Sequence, residues 1–274
     1  MILSTEPPMI HGGAPLVFAL LAVAGYGLAA LPPASTGRLS AAGLLLGWLM
    51  HLGVLVLDIG GWGDTLPGAR LGFAPVLSMT VWLVLAVHTV ESRLFPLPGV
   101  RRWLAIGGAA AVLLSLTFPG EPHQYASPLA PLHLALGVGS YGLFGAAVLH
   151  AGMLDAAERR LRLRTATGGA AFGMPLLQLE RLTFRFVEVG FAVLTATMLL
   201  GFVTANRWNW DHKTVFSLLA WGVFAALLVG RHWRGWRGHR ATTWLYIGAV
   251  LLLLAYVGSR FVFEVLLGRM PPTP

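Results

Sequence analysis

Cysteine is absent from this chain, and charged residues make up only 11% of its 274 positions. A soluble domain of this size carries roughly twice that charged fraction. Its surface cannot be covered with polar groups, so most of the solvent must be lipid. Without cysteine there are no disulfides, no thiolate metal sites and no thioether attachment of a cofactor. Any cofactor is therefore held non-covalently, and the nine histidines are the ligands on offer. The opening "MILSTEPPMIHGG" reads as lacking the basic start and cleavage signature of a secretory leader. No internal repeat is visible either.

What is present is apolar length: 56% of the residues are hydrophobic, in runs that recur to the last residues. A spanning helix needs about 20 such residues, because lipid offers backbone groups no partners. Eight segments qualify, near 15–31, 40–59, 72–90, 103–118, 130–153, 186–205, 214–230 and 243–267. The expected fold class is all-α: one polytopic membrane domain over 1–274, with eight transmembrane helices. The net charge of +8 is then the arginine excess of cytoplasmic loops and not a nucleic-acid footprint.

Arginine placement orients the spans. With the N-terminus outside, inner segments hold Arg38, Arg93, Arg101, Arg102, Arg159, Arg160, Arg162, Arg164, Arg181, Arg185, Arg231, Arg234, Arg237 and Arg240. Outer segments hold Arg70, Arg207, Lys213 and Arg269, and Arg260 falls inside the last span. Fourteen against four predicts both termini outside. Within the basic connection 155–185, Leu176, Leu179, Leu182, Phe184 and Phe186 suggest either a short helix in the inner interface or a spacer feeding the sixth span.

Ionisable groups within spans are costly and mark functional candidates. His133 opens the fifth span at its outer end, with Gly137, Ser140 and Tyr141 on the same face. The two small ones, Gly137 and Ser140, leave room for something flat, or serve a tight helix contact. His51 lies near the middle of the second span, on a face with Gly47 and Asp58. It requires a metal, a proton route or a hydrogen bond to a neighbouring helix. His88, His150 and His232 fall near inner ends, where they either share a site or never meet.

The outer connection "RWNWDHKT", 207–214, mixes Arg207, Trp208, Trp210, Asp211, His212 and Lys213 between two apolar runs. Tryptophans anchor helices at this depth, and charges there are commonly solvated. The same groups also suit a haem: indole faces to stack on it, His212 to ligate iron, and Lys213 or Arg207 to meet carboxylates.

The run "LERLTFRFVEVGFAVLTATMLLGFVTANRWNWDHKTVFSLLAWGVFAALLVGRHWRGWRG" resembles the cytochrome c assembly superfamily of haem-handling membrane proteins, of the CcsA, CcmC and HemX type. Trp208, Trp210 and Asp211 match the second half of that family's outer WGxxWxWD motif, and "LHLALGVGSYGLF" is similar to its outer histidine segment, which falls on His133. The tail "GWRGHRATTWLYIGAVLLLLAYVGSRFVFEVLL" resembles the HemX/YpjD-like inner-membrane branch. The resemblance covers about 130–267, with 206–213 as the Trp-rich outer loop. The first tryptophan of the motif is absent. His212 follows Asp211 where the dedicated synthetases read proline, and no second outer histidine occurs near "LLGRMPPTP".

The resemblance implies non-covalent haem b at the outer face and a role in assembling cytochrome c or a respiratory complex, whose subunits would be partners. It implies haem binding or delivery more than thioether synthesis, with no catalytic residue assigned. The bilayer would be the inner (cytoplasmic) membrane, with the Trp-rich loop facing the periplasm. His133 and His212 are the expected iron ligands, Trp208 and Trp210 the stacking platform beside Asp211, and Arg207, Lys213 or Arg260 the propionate partners. His51 is a possible second iron site. The rival readings are a secondary transporter built on His51, Asp58, Glu188, Arg260 and Glu264, and a cofactor-free assembly scaffold. The missing inverted repeat speaks against the transporter.

Overall fold

The computed structural model describes residues 13–31, 37–60, 69–94, 100–120, 122–123, 128–163, 170–171, 174–204 and 210–267. Eight helices among them are long and apolar enough to cross a membrane. They are α1 (Gly13–Ala30), α2 (Gly37–Gly60), α3 (Phe73–Leu94), α4 (Val100–Thr117), α5 (Ala130–Arg162), α6 (Leu176–Thr204), α7 (His212–Arg234) and α8 (Gly238–Leu266). The remaining regular structure is two antiparallel ladders of two-residue strands: β1 (Ala69–Arg70) with β2 (Pro122–His123), and β3 (Ala170–Ala171) with β4 (Met174–Pro175). The first ladder ties the α2–α3 connection to the α4–α5 connection at one end of the bundle.

Two of the expected segments grow on folding. α5 has 33 residues, about 50 Å at 1.5 Å per residue against a hydrocarbon core of about 30 Å. Its last turn carries Arg159, Arg160 and Arg162, which favour a helix C-terminus. α6 has 29 residues starting at Leu176. The stretch Leu176–Phe186 is therefore the first part of one continuous helix and not a separate interfacial one. No proline or glycine lies between Leu176 and Val189 to interrupt it.

In lipid, close packing replaces the hydrophobic effect between helices, so small residues set where they meet. Gly43 and Gly47 form a small-xxx-small stripe on α2 facing Gly25 of α1. A Cβ on Gly25 would lie 2.5 Å from the Gly47 nitrogen. The first four helices share a core of Tyr26, Leu44, Val54, Leu85 and Val112. A second core, in α5–α8, is built on Phe144, Phe184, Leu194, Phe224 and Leu245. The Phe144 and Phe224 rings there stack 3.8 Å apart at 9°. α3 joins the halves by packing on α5, where Gly142 leaves room for Leu83 and Gly145 for Val84.

α8 is not uniform. It is α-helical to Leu253, takes a π turn at Leu254–Gly258, resumes at Ser259–Phe261 and takes a second π turn at Val262–Leu266. Such turns are inserted singly into α-helices and concentrate at functional sites. Arg260 sits between the two, buried.

Candidate functional site

His133 lies in the first turn of α5, which Pro131 opens without loss because its missing N–H would be an orphan there anyway. The ring lies against Gly201 of α6, where a Cβ would stand 2.9 Å from the imidazole Cε1. His133 Nδ1 is buried and makes no hydrogen bond. Of the residues beneath it, Gly137 faces Thr197 of α6, and the Ser140 hydroxyl donates to the Gly137 carbonyl at 2.7 Å. Tyr141 donates its hydroxyl to the Leu252 carbonyl of α8. That face thus serves helix contact, with the Thr197 backbone beside the imidazole, while Nδ1 makes no well-formed hydrogen bond.

From Trp210 on, the polar stretch is a helix start. Asp211 has extended backbone angles, and its carboxylate accepts from the Thr214 backbone N–H at 2.8 Å, which makes it the N-cap of α7. His212 is the first residue of α7 and is exposed. Trp210 is 73% exposed, as a membrane-interface tryptophan is. Arg207 and Trp208 lie outside the described residues.

Lys213 and Arg260 come together over one ring. Lys213 Nζ stands 5.9 Å from the centre of the Tyr256 ring and Arg260 Cζ 5.6 Å from it. The Tyr256 hydroxyl donates to the Leu71 carbonyl at 3.3 Å. Arg260 Nη1 lies 3.5 Å from Glu264 Oε1, the local i,i+4 pair. Glu264 reaches further: its Oε2 accepts from the Phe73 backbone N–H at 3.3 Å, at the first residue of α3. One carboxylate thus neutralises a buried guanidinium and satisfies a helix N-terminus that carries positive partial charge. His133 lies against α6, whereas Lys213 and Arg260 share the Tyr256 ring.

His51 is fully engaged by the fold. It is buried, with Nδ1 3.0 Å from the Tyr26 hydroxyl and Nε2 2.7 Å from Ser78 Oγ. Gly47, one turn earlier, makes room for the Tyr26 ring, so the glycine stripe and the histidine belong to one arrangement. Asp58 on the same helix accepts from Ser115 Oγ at 3.1 Å.

Of the three histidines expected at inner ends, His88 and His150 lie within electrostatic reach of one another, and His232 is not among their neighbours. His232 is exposed on the last turn of α7. His88 and His150 are buried; Glu91 of α3 stands 3.0 Å from His150 Nε2, and Glu91, His150 and Arg101 of α4 are within electrostatic reach of His88. Nearby, Glu180 of α6 accepts from Arg231 at 3.0 Å and from Arg237 through both its oxygens. The hydrogen bonds Arg237 gives, and the carboxylate charge, raise this guanidinium above its ordinary value. Sequence reasoning missed Tyr26, Ser78, Glu91 and Tyr256. Only Glu91 had a usable signal, since it lies one helical turn after His88.

An all-helical, eight-span membrane protein with a buried cationic group beside an aromatic ring at one end is the class these features define. Comparison with known proteins makes it particular. The family model described as cytochrome C assembly protein matches residues 36–267, and the chain belongs to that family. It is 30% identical over 267 residues to the inner membrane protein YpjD of Escherichia coli (strain K12), covering 91% of this chain and 99% of that one. It is 37% identical over 107 residues to the cytochrome c biogenesis protein CcsA of Gloeobacter violaceus, which covers 36% of this chain and 32% of the relative. It is 27% identical over 216 residues to CcsA of a Synechococcus strain (CC9605), covering 66% of this chain and 71% of that one. No solved structure matches. The family match takes in α2–α4 as well as the second half from which the resemblance was first drawn.

Proposed function

We propose that this chain is a haem-binding membrane protein that handles haem for the assembly of cytochrome c or a respiratory complex. The observation that carries the reading is His133. In a family defined by cytochrome c assembly, it stands at a span end with a buried, unbonded ring nitrogen against a glycine slot. A neutral imidazole with a free nitrogen is what a haem iron takes as an axial ligand. His51 differs, because it would first have to give up Tyr26 or Ser78.

In this reading haem b is bound non-covalently, with His133 and His212 as ligands and Trp208 and Trp210 as the stacking surface. Asp211 fixes the start of α7 and so the position of His212. Arg207, Lys213 and Arg260 would hold the propionates, guanidinium being suited to bidentate carboxylate contact. The bound group would supply its iron and its flat macrocycle as cargo or as an electron carrier. The protein would hold it in the inner membrane with the Trp-rich loop towards the periplasm. An optical spectrum of the detergent-purified protein tests this. A Soret band with split bands on reduction is expected, and His133→Ala should lose it. A well-folded wild type with no haem after haem-supplemented expression overturns the reading.

A further inference from the structure

The pair Glu91 and His150, where α3 meets α5, has no part in the function proposed above. It lies about 25 Å along α5 from His133, at 1.5 Å per residue. His150 Nδ1 is 2.7 Å from the Ala146 carbonyl oxygen. A carbonyl only accepts, so Nδ1 carries a hydrogen. His150 Nε2 is 3.0 Å from Glu91 Oε2. In a neutral imidazole with hydrogen on Nδ1, Nε2 is a bare acceptor. Against an ionised carboxylate it would set lone pair to lone pair, in a place where the two side chains are only 0% and 11% exposed. Buried acceptors forced together without a hydrogen between them are costly.

The arrangement therefore needs one more proton, on the ring nitrogen or on the carboxyl. The 3.0 Å approach is off the line of an ideal hydrogen bond, and among the described residues neither Glu91 oxygen nor Nε2 has another hydrogen-bonding partner. The surroundings hold the charges that bear on this proton. α3 adds His88 one turn earlier, with a buried unbonded Nδ1, and α4 adds Arg101. From α6 the Phe186 ring lies 5.2 Å from the imidazole, and Glu180 on that helix is taken up by Arg231 and Arg237. Asp155, further along α5, is taken up by Thr242 and Tyr246 of α8.

We propose that Glu91 and His150 form a buried proton-binding site, holding one proton between an α3 carboxyl and an α5 imidazole. It is a second binding site in the chain, for a proton, remote from the end where haem is proposed to bind.

The test uses the full-length protein in nanodiscs at neutral pH, with nitrogen-15-labelled histidine and infrared spectra of the carboxyl region. His150→Gln identifies the His150 signal by its loss. The expected result is one of two signatures: a doubly protonated His150 ring, or a protonated-carboxyl band. Glu91→Gln should remove whichever is present, because the amide donates its own N–H to Nε2 and leaves the ring neutral. A singly protonated His150 ring with no protonated-carboxyl band in the wild type overturns the proposal. So does a signature that persists in Glu91→Gln. The wild-type spectra decide even where the variant folds poorly. Loss of haem leaves this result unaffected, so the two readings fail separately.

Discussion

Trp48 of α2 and Trp82 of α3 each donate the indole N–H to the other's backbone carbonyl, at 3.3 and 3.0 Å, with their rings stacked 4.9 Å apart at 8°. Each ring thus covers the bond the other makes. Replacing either by phenylalanine keeps a ring but removes one donor, which should cost about 1 kcal/mol. The double variant should cost less than the sum of the singles, because the two bonds share one geometry. Thermal unfolding in detergent of the four proteins measures the coupling, and strict additivity would deny it.

Gly201→Ala places a methyl group 2.9 Å from the His133 ring. The imidazole must shift, so haem content should fall and the Soret band should move, with the protein still assembled. His133→Ala should lower haem content more than His123→Ala does. Equal spectra for the two alanine variants would remove His133 from the ligand set.

Glu264 serves Arg260 and the start of α3 at once. Glu264→Gln removes the carboxylate charge beside a buried guanidinium and the anionic acceptor at the start of α3, and should destabilise by about 3 kcal/mol. Arg260→Lys separates the structural role from the proposed propionate contact. A local pair tolerates lysine, whereas a bidentate clamp should release haem faster to apomyoglobin at unchanged protein yield. Unchanged transfer kinetics would leave Arg260 with a structural role.

Since the chain has no cysteine, a single introduced one is a unique label. Thr167→Cys in the connection after α5 should react only with membrane-permeant reagents, and a cysteine replacing Trp210 with impermeant ones as well. Labelling of the Thr167 position from outside would invert the arginine-based orientation and, with it, the outward position of the Trp-rich loop.

The spans were legible because lipid demands length and apolarity, which composition records directly. Their ends were less so. α5 and α6 run past the apolar runs because arginine at a helix C-terminus, and an unbroken 176–189 stretch, keep the helix going after the hydrophobic signal stops. Among the site residues, His133 was visible from its neighbours in sequence, and Asp211 was visible as a residue but not as a helix cap. His51 could not be read to the end. Its partners Tyr26 and Ser78 come from helices on either side in the chain, and no local spacing announces a contact that depends on how three helices cross. Tyr256 escaped for the same reason.

The two π turns of α8 also govern how this helix compares with others. Each is in effect a one-residue insertion, and one residue turns a helix by roughly 100°. A relative whose last span winds as a plain α-helix would match this one before Leu254, fall one residue out of register after the first π turn and two after the second. Residues equated with Arg260 and Glu264 by an ungapped alignment would then face a different neighbour. Correspondences at this end of the chain have to be drawn with single-residue gaps at the π turns, in three dimensions before letters.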